Sequence, residues 1–458
     1  MGGDVRVAVV GAGVSGLTAA YELRRILGGD ARIDVLADDV EPGGLLATRA
    51  VGPTTLDVGA EAFIVRRPEA LALVTELGLA DQVVSPGPSR PAIWSAGRLT
   101  DLPSPALMGI PSTPEAVRDL LDADERRFVE SEPDRPMAWT PGSDVSVGDL
   151  VGDRFGPAVV ARSLDPMLGG VYSARARDLG LRETIPALAA ALDAGASSLT
   201  EAVRRVGARA TGSGPVFGAL RGGYRTLVDA LVAAARADIR APVAVRSVTR
   251  AGDGFGLDGI GDYDAVVIAT PVWTAGRLLA DVAPESAAVF AGVRAAGSAV
   301  VAFAVDGRSP LPPHSGVLVA SDADLSIKAI TLSSRKWPHL RPEPGGVSLL
   351  RTSFGRLGEP VVGADADLIA RARADLDTVF AAVGLPAPEI VDALVQRWPT
   401  GLPHYAPGHL AAMADAVSRL PTGVAVAGSG YRGVGVPACI GTARDAAAGV
   451  ARDLRAAG

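Results

Sequence analysis

Three glycines, Gly11, Gly13 and Gly16, follow the apolar run Val5–Val10 and precede Leu17, Ala20, Leu23 and Ile26 at helical spacing. Such a turn can hold a pyrophosphate. Residues without a Cβ, with Ala12 and Ser15 between them, let backbone amides and a helix N-terminus approach phosphate oxygens. The pattern alone is a weak signal. With 55 glycines in 458 residues, roughly 0.8 matches to GxGxxG arise by chance, and this chain has three. Gly254, Gly256 and Gly259 lie in a polar turn between expected strands and read as a hairpin. Gly428, Gly430 and Gly433 follow a strand-like run and precede a helix. Only the first match has the full order of strand, turn, helix and second strand, Arg32–Leu36.

A second glycine pair, Gly43 and Gly44, stands just after that second strand in the segment Glu41–Thr48, with Leu46 beyond it. It lets the chain pass close to a nucleotide, and Gly59 and Ala60 extend the same reading. An acid normally closes the second strand and takes the ribose hydroxyls. Here that position is Ala37, so Asp38 is the candidate. Metal chemistry has little to work with. One cysteine, Cys439, and four histidines at 314, 339, 404 and 409 offer no zinc or iron–sulfur spacing. No nucleophile with a matched base is evident either.

These residues need a scaffold, and the chain is long enough for about three domains. Hydrophobic residues make up 48% and mean hydropathy is +0.27, which provides a sizeable core and excludes dominant disorder. Net charge is −7 and pI near 5.3, so no nucleic-acid partner is expected. No stretch of about 20 residues is apolar and uncharged, and no secretory signal opens the chain, so a cytoplasmic protein is expected. Of 44 basic residues only Lys328 and Lys336 are lysine.

The texture changes along the chain. From Leu99 to Thr211 helical periodicity dominates, for example over Pro114–Leu121, Val147–Phe155 and Ala187–Val206. Val243–Ser247 and Tyr263–Thr270 read as strands, and Val245 in the first of them is a further cofactor candidate. Strands and helices alternate from Val272 to Leu420. A last strand, glycine turn and helix close the chain. The expected class is α/β, with a discontinuous Rossmann-like domain at 1–75, 215–271 and 421–458. A mixed-sheet substrate domain takes 76–98 and 272–420, and a helical insertion takes 99–214.

Several segments together carry a family resemblance that spans nearly the whole chain. They are GAGVSGLTAAYEL at the start, EPGGLLAT, FGALRGGYRTLVDAL, DAVVIATP and AGSGYRGVGVPACIGTARDAA at the end. With them the sequence resembles FAD-dependent amine-oxidase-type flavoproteins. Asp165–Tyr172, Ser315–Val319, Ser334–Pro338, Arg397–His409 and Tyr431–Pro437 make it similar to the oxygen-dependent porphyrinogen oxidases within that group. It departs from them at Ser173-Ala174-Arg175, at His404 and at Ala37.

The resemblance implies FAD as cofactor and a porphyrinogen as substrate. Coproporphyrinogen III is the first candidate and protoporphyrinogen IX the alternative. Six electrons leave in three rounds of hydride transfer to the flavin, and dioxygen takes them up as hydrogen peroxide. Gly428, Gly435 and Val436 would then face the flavin, where the dipole of the last helix stabilises its reduced form. Cations must meet the substrate propionates. Arg66 and Arg67 stand where the family places a basic residue, with Arg175 and Lys336 as further candidates. Tyr172 and Tyr431 are candidate pocket walls. Product hand-over to a chelatase and contact with a membrane surface remain open as partner relations. The rival readings are an amine oxidase or desaturase, an NAD(P)-linked reductase, and a flavin-binding scaffold without turnover.

Overall fold

The computed structural model describes residues 5–209 and 214–457. Thr211, the expected end of the helical periodicity within the 99–214 insertion, lies outside the described residues.

A five-stranded parallel sheet sits at the centre of the nucleotide-binding elements. Its order is Asp238–Arg240, Arg32–Leu36, Arg6–Val10, Ala265–Ile268 and Val424–Val426. Its strands come from the beginning, middle and end of the sequence. They are short and apolar because both faces are covered. On one face Val7, Val9, Ile33, Val35 and Val267 pack against helices Val14–Leu27 and Val436–Ala457. On the other, Ala8, Val10, Val266 and Ile268 meet Phe255, Phe290 and Leu279. The middle glycine match, Gly254–Gly259, lies in an antiparallel meander on that face, in the hairpin between Gly254–Leu257 and Gly261–Tyr263.

One expected strand is corrected. Val243–Ser247 is not a strand. The paired residues are Asp238–Arg240, and the ladder stops there because Pro242 has no N–H to donate. Val243 keeps one bond, from its N–H to the Ala37 carbonyl at 2.6 Å.

A seven-stranded mixed sheet forms a second layer system. Its order is Ile390–Pro403, Ala295–Asp306, Val347–Phe354, Ala329–Thr331, Gly316–Val319, Ala92–Ser95 and Arg98–Asp101. Only the pair Gly316–Val319 and Ala92–Ser95 runs parallel. Helix Asp365–Ala382 buries Leu368, Ala372, Leu376, Val379 and Phe380 against Val301, Phe303 and Val305 of its long strand.

Short helices gather around a third core built on Val147, Val151, Phe155, Leu164, Leu168, Leu188 and Leu192. A π turn over Val160–Leu164 runs into helix Asp165–Tyr172. The acidic stretch Glu130–Asp134 does not lie wholly on the surface. Glu132 is fully buried. It pairs with Arg154 at 2.9 Å and accepts from Leu199 N, Thr200 N and Thr200 Oγ1 at the start of helix Leu199–Arg209. A buried carboxylate is tolerated because every oxygen has partners. Among the described residues no helix is long and apolar enough to cross a membrane.

Candidate active site

Strand Arg6–Val10 ends under Gly11, whose φ of +111° suits glycine alone. A Cβ on Gly16 would fall 1.8 Å from the Gly11 carbonyl oxygen, so helix and turn touch backbone to backbone. Gly13 is different. It has an ordinary φ of −73°, and a Cβ there would meet nothing within 4 Å. Gly13 is the N-cap of helix Val14–Leu27, no side chain caps that end, and its first turn holds no acid. The helix therefore presents unpaired amides and its positive pole to open space.

The other glycine segments close around this pole. Gly43 donates its N–H to the Ala12 carbonyl at 2.8 Å and bridges Gly13. A Cβ on Gly44 would lie 3.2 Å from Gly13 Cα. Leu46 is buried beside them. Gly59 has no room for a side chain, because Leu45 O would be 1.9 Å from its Cβ, and Ala60 N donates to that same carbonyl at 3.1 Å. Gly428 faces the turn from the far end of the chain, its Cβ direction meeting only Thr270 O at 3.9 Å and Ser15 Oγ at 4.0 Å. Gly435 and Val436 open the last helix, where Gly435 O accepts from Cys439 N. This cradle fits a dinucleotide, with its pyrophosphate at the helix pole.

The ribose end is less well furnished. Asp38 is exposed and follows Ala37, whose amide donates to Arg240 O at 3.1 Å. Asp34, two residues before the strand ends, is buried under Tyr263, whose hydroxyl donates to it at 2.8 Å. Val245 is buried against Val10 and Leu36 at the same edge of the sheet.

A charged cluster lies directly after Gly59 and Ala60. Lys336 pairs with Glu61 at 2.6 Å, and Arg351 reaches the same carboxylate at 3.3 Å. Arg351 also donates to the carbonyls of Asp57 and Gly59, at 2.8 and 3.2 Å. Burial alone would raise the Glu61 carboxyl. The two cations outweigh it, Arg351 most, and hold the group down at about 2. Asp57 goes the other way. Burial pushes it up to about 6, against bonds from Thr48 Oγ1 and from Tyr224 N at the start of helix Tyr224–Ala235.

The remaining candidates separate. Arg66 and Arg67 are both exposed, after the short ribbon of Phe63–Ile64 with Phe217–Leu220. Arg66 donates to Gly214 O, and Arg67 pairs with Glu69 at 2.7 Å close to Gly433. Tyr172 ends helix Asp165–Tyr172 half-buried, its ring 5.9 Å from Tyr405. Burial and Glu183 push its hydroxyl up to about 12.

One of these residues needs correction. Arg175 does not offer a free guanidinium. It is held by Glu359 at 2.8 Å, Asp165 at 3.7 Å and the Ser321 carbonyl. Tyr431 is enclosed by protein. It is buried in the core beside the parallel sheet, edge-on to Phe290 at 5.5 Å.

Sequence reasoning missed Glu61, Arg351 and Tyr405 as structural partners of the site. It also passed over Lys328, although its scarcity among arginines is the signal that singled out Lys336. Lys328 is buried, donates to Ser173 Oγ at 2.6 Å and Gly355 O at 2.8 Å, and is pushed down to about 7 by burial and by Arg356. His404 and His409 both bond to backbone carbonyls, of Asp178 and Gly430 respectively.

A carboxyl pair lies behind Tyr172 and Tyr405. Burial, then a hydrogen bond with Asp144, raises Glu183 to about 7, while Asp144 is lowered. The folded chain therefore holds a proton on Glu183 that the unfolded chain releases near the ordinary 4.5. Stability should fall as pH rises from about 4.5 through about 7. Glu183→Gln, which mimics the protonated form, should flatten that slope. Thermal midpoints of both proteins at pH 5 and pH 8 test it, and equal slopes would reject it.

A model of the flavin containing amine oxidoreductases matches residues 14–451. A Mycobacterium tuberculosis protein named coproporphyrinogen III oxidase is 46% identical over 454 residues, covering 98% of each chain. Its Mycobacterium leprae namesake is 44% identical over 441 residues, 95% of this chain and 96% of its own. A crystal structure from Exiguobacterium sp. 255-15, described as a protoporphyrinogen oxidase, superposes with a TM-score of 0.86 at 27% identity, covering 98% and 99% of the two chains.

Proposed function

The chain belongs to the flavin-containing amine oxidoreductases, in the branch of the porphyrinogen oxidases, and from that premise we propose that it oxidises coproporphyrinogen III to coproporphyrin III. The end-to-end likeness to the mycobacterial coproporphyrinogen III oxidases carries this reading, and the open, uncapped helix pole at Gly13 supports it. FAD is the cofactor, and it supplies a two-electron acceptor that must be used three times for each substrate, dioxygen taking up the electrons as hydrogen peroxide.

The protein's part is to hold and orient. Gly11, Gly13, Gly43, Gly44 and Gly428 would hold the dinucleotide. Arg351 fixes the Asp57 and Gly59 carbonyls, and so the backbone that leads to Glu61, the partner of Lys336. Arg66 and Arg67 are exposed beyond this segment and would turn to meet propionates. Tyr172 would border the macrocycle. Arg175 and Tyr431 have no part in this reading, for the reasons given by their contacts. The reaction needs no partner beyond substrate and dioxygen.

The test mixes purified protein, in air and dim light, with coproporphyrinogen III and separately with protoporphyrinogen IX, following porphyrin fluorescence and peroxide. The tetrapropionate should turn over much faster. Arg67→Gln should raise its KM by about tenfold, the worth of one charge-assisted hydrogen bond. Preference for the dipropionate would move the activity to protoporphyrinogen IX. No turnover above the autoxidation blank, with flavin bound, would end the porphyrinogen reading.

A further inference from the structure

The loop from Gly428 to Gly433 has two sides. One faces the nucleotide turn through Gly428. The other is gripped by two residues of the segment before and at the start of helix His409–Ser418. The Tyr405 hydroxyl donates to Ser429 O at 2.6 Å and accepts from Gly433 N at 2.7 Å. His409 Nε2 donates to Gly430 O at 2.7 Å. The two rings pack with centroids 4.3 Å apart, and Tyr405 is fully buried. Thr442 receives the Gly428 amide at 3.0 Å, which anchors the loop's first residue.

A phenol is suited to this position because one oxygen both donates and accepts. It joins the carbonyl of residue 429 to the amide of residue 433 and so sets the loop's span. The far face of Tyr405 meets Tyr172, at the end of the helix that would border the substrate. One side chain therefore touches the candidate substrate wall and the loop leading into the last helix.

We propose that Tyr405 and His409 are positioning residues that template the Ser429–Gly433 loop for the flavin, and that Tyr405 links this loop to the substrate side through Tyr172. The flavin part rests on family membership. The Tyr172 part rests on the porphyrinogen reading above.

The test removes one bond at a time. Tyr405→Phe keeps the ring and deletes the hydroxyl. His409→Leu deletes the donor, and His409→Gln restores one. Apoprotein is titrated with FAD by flavin fluorescence, the midpoint potential of the bound flavin is measured by dye equilibration, and apoprotein thermal midpoints are recorded alongside. Tyr405→Phe and His409→Leu should each weaken FAD binding by at least about tenfold. Both should shift the potential, and His409→Gln should recover most of both. Wild-type affinity and potential in Tyr405→Phe and His409→Leu would overturn the proposal. So would losses that only track apoprotein stability, or no rescue by glutamine. None of these readouts uses a porphyrinogen. Failure of the wild type to oxidise one would sink the functional reading and the Tyr172 link with it, and leave the flavin part intact.

Discussion

Gly13→Asp is expected to abolish flavin binding while leaving the apoprotein at least as stable as the wild type. The backbone at Gly13 has φ −73° and ψ 179°, a conformation open to any residue, and its Cβ direction is empty to 4 Å. Aspartate is a favoured N-cap, so its carboxylate should accept from the first amides of helix Val14–Leu27 and stabilise the apoprotein by a few tenths of a kcal/mol. Those are the amides a pyrophosphate needs. A fixed negative charge about 4 Å from a phosphate costs about 4 kcal/mol at an effective dielectric of about 20, or about a thousandfold in affinity. The two effects have opposite signs, which makes the substitution diagnostic. Gly16→Val would not be, because its Cβ would strike Gly11 O and damage the fold together with the site. Fluorescence titration with FAD and thermal unfolding of the apoprotein read the two effects separately. Retained flavin affinity in Gly13→Asp would remove the phosphate from this helix pole.

The same glycines show what was legible in the sequence. Gly11, Gly16, Gly43 and Gly59 are constrained by close backbone contact, a local steric demand that residue type and spacing report directly. The βαβ order around them is equally local. Pairings between distant segments were not legible. Lys336 was singled out for its rarity, yet its partner Glu61 lies 275 positions away, and nothing in either segment announces the other. Arg351 joins them from the middle of a strand of the mixed sheet. Tyr405 reaches the final glycine loop from 24 positions upstream. Tyr431 stands within that loop by sequence, whereas its packing against Phe290 from another helix was not legible. Arg175 was misread for the same reason: an arginine is free or spent according to its neighbours in space. Val243–Ser247 had strand composition, but one proline before it removed the ladder.

Glu61→Gln should lower stability at pH 7 by about 3 kcal/mol and also weaken FAD binding. The Glu61 side chain is 7% exposed, with Arg351 at 13% and Lys336 at 24%. Removing one member of a buried ionic group leaves its partners charged and uncompensated, which costs about 3–5 kcal/mol. Glutamine keeps the shape and one acceptor, so the low end applies. The pH dependence gives a second, sharper reading. The Glu61 carboxyl is held at about 2, below the ordinary 4.5, so its contribution is complete above about 4.5 and is lost as pH falls toward 2. The difference between wild type and Glu61→Gln should shrink over that interval and vanish below it. Asp57, four residues earlier and raised to about 6, contributes the opposite slope between about 4 and 6, and this slope should be shallower in Glu61→Gln because the Glu61 charge is among the causes that raise Asp57. Urea midpoints of the two apoproteins at pH 7, 4 and 2.5 measure the effect. Equal midpoints at pH 7 would mean that Arg351 and Lys336 find water or other acceptors once the Glu61 charge is gone. The pair would then be expendable for folding. In that case any loss of FAD affinity in Glu61→Gln would have to come from the position of Lys336 and of the Gly59–Ala60 backbone that Arg351 holds, which would move the charged cluster from the stability of the fold to the cofactor site itself.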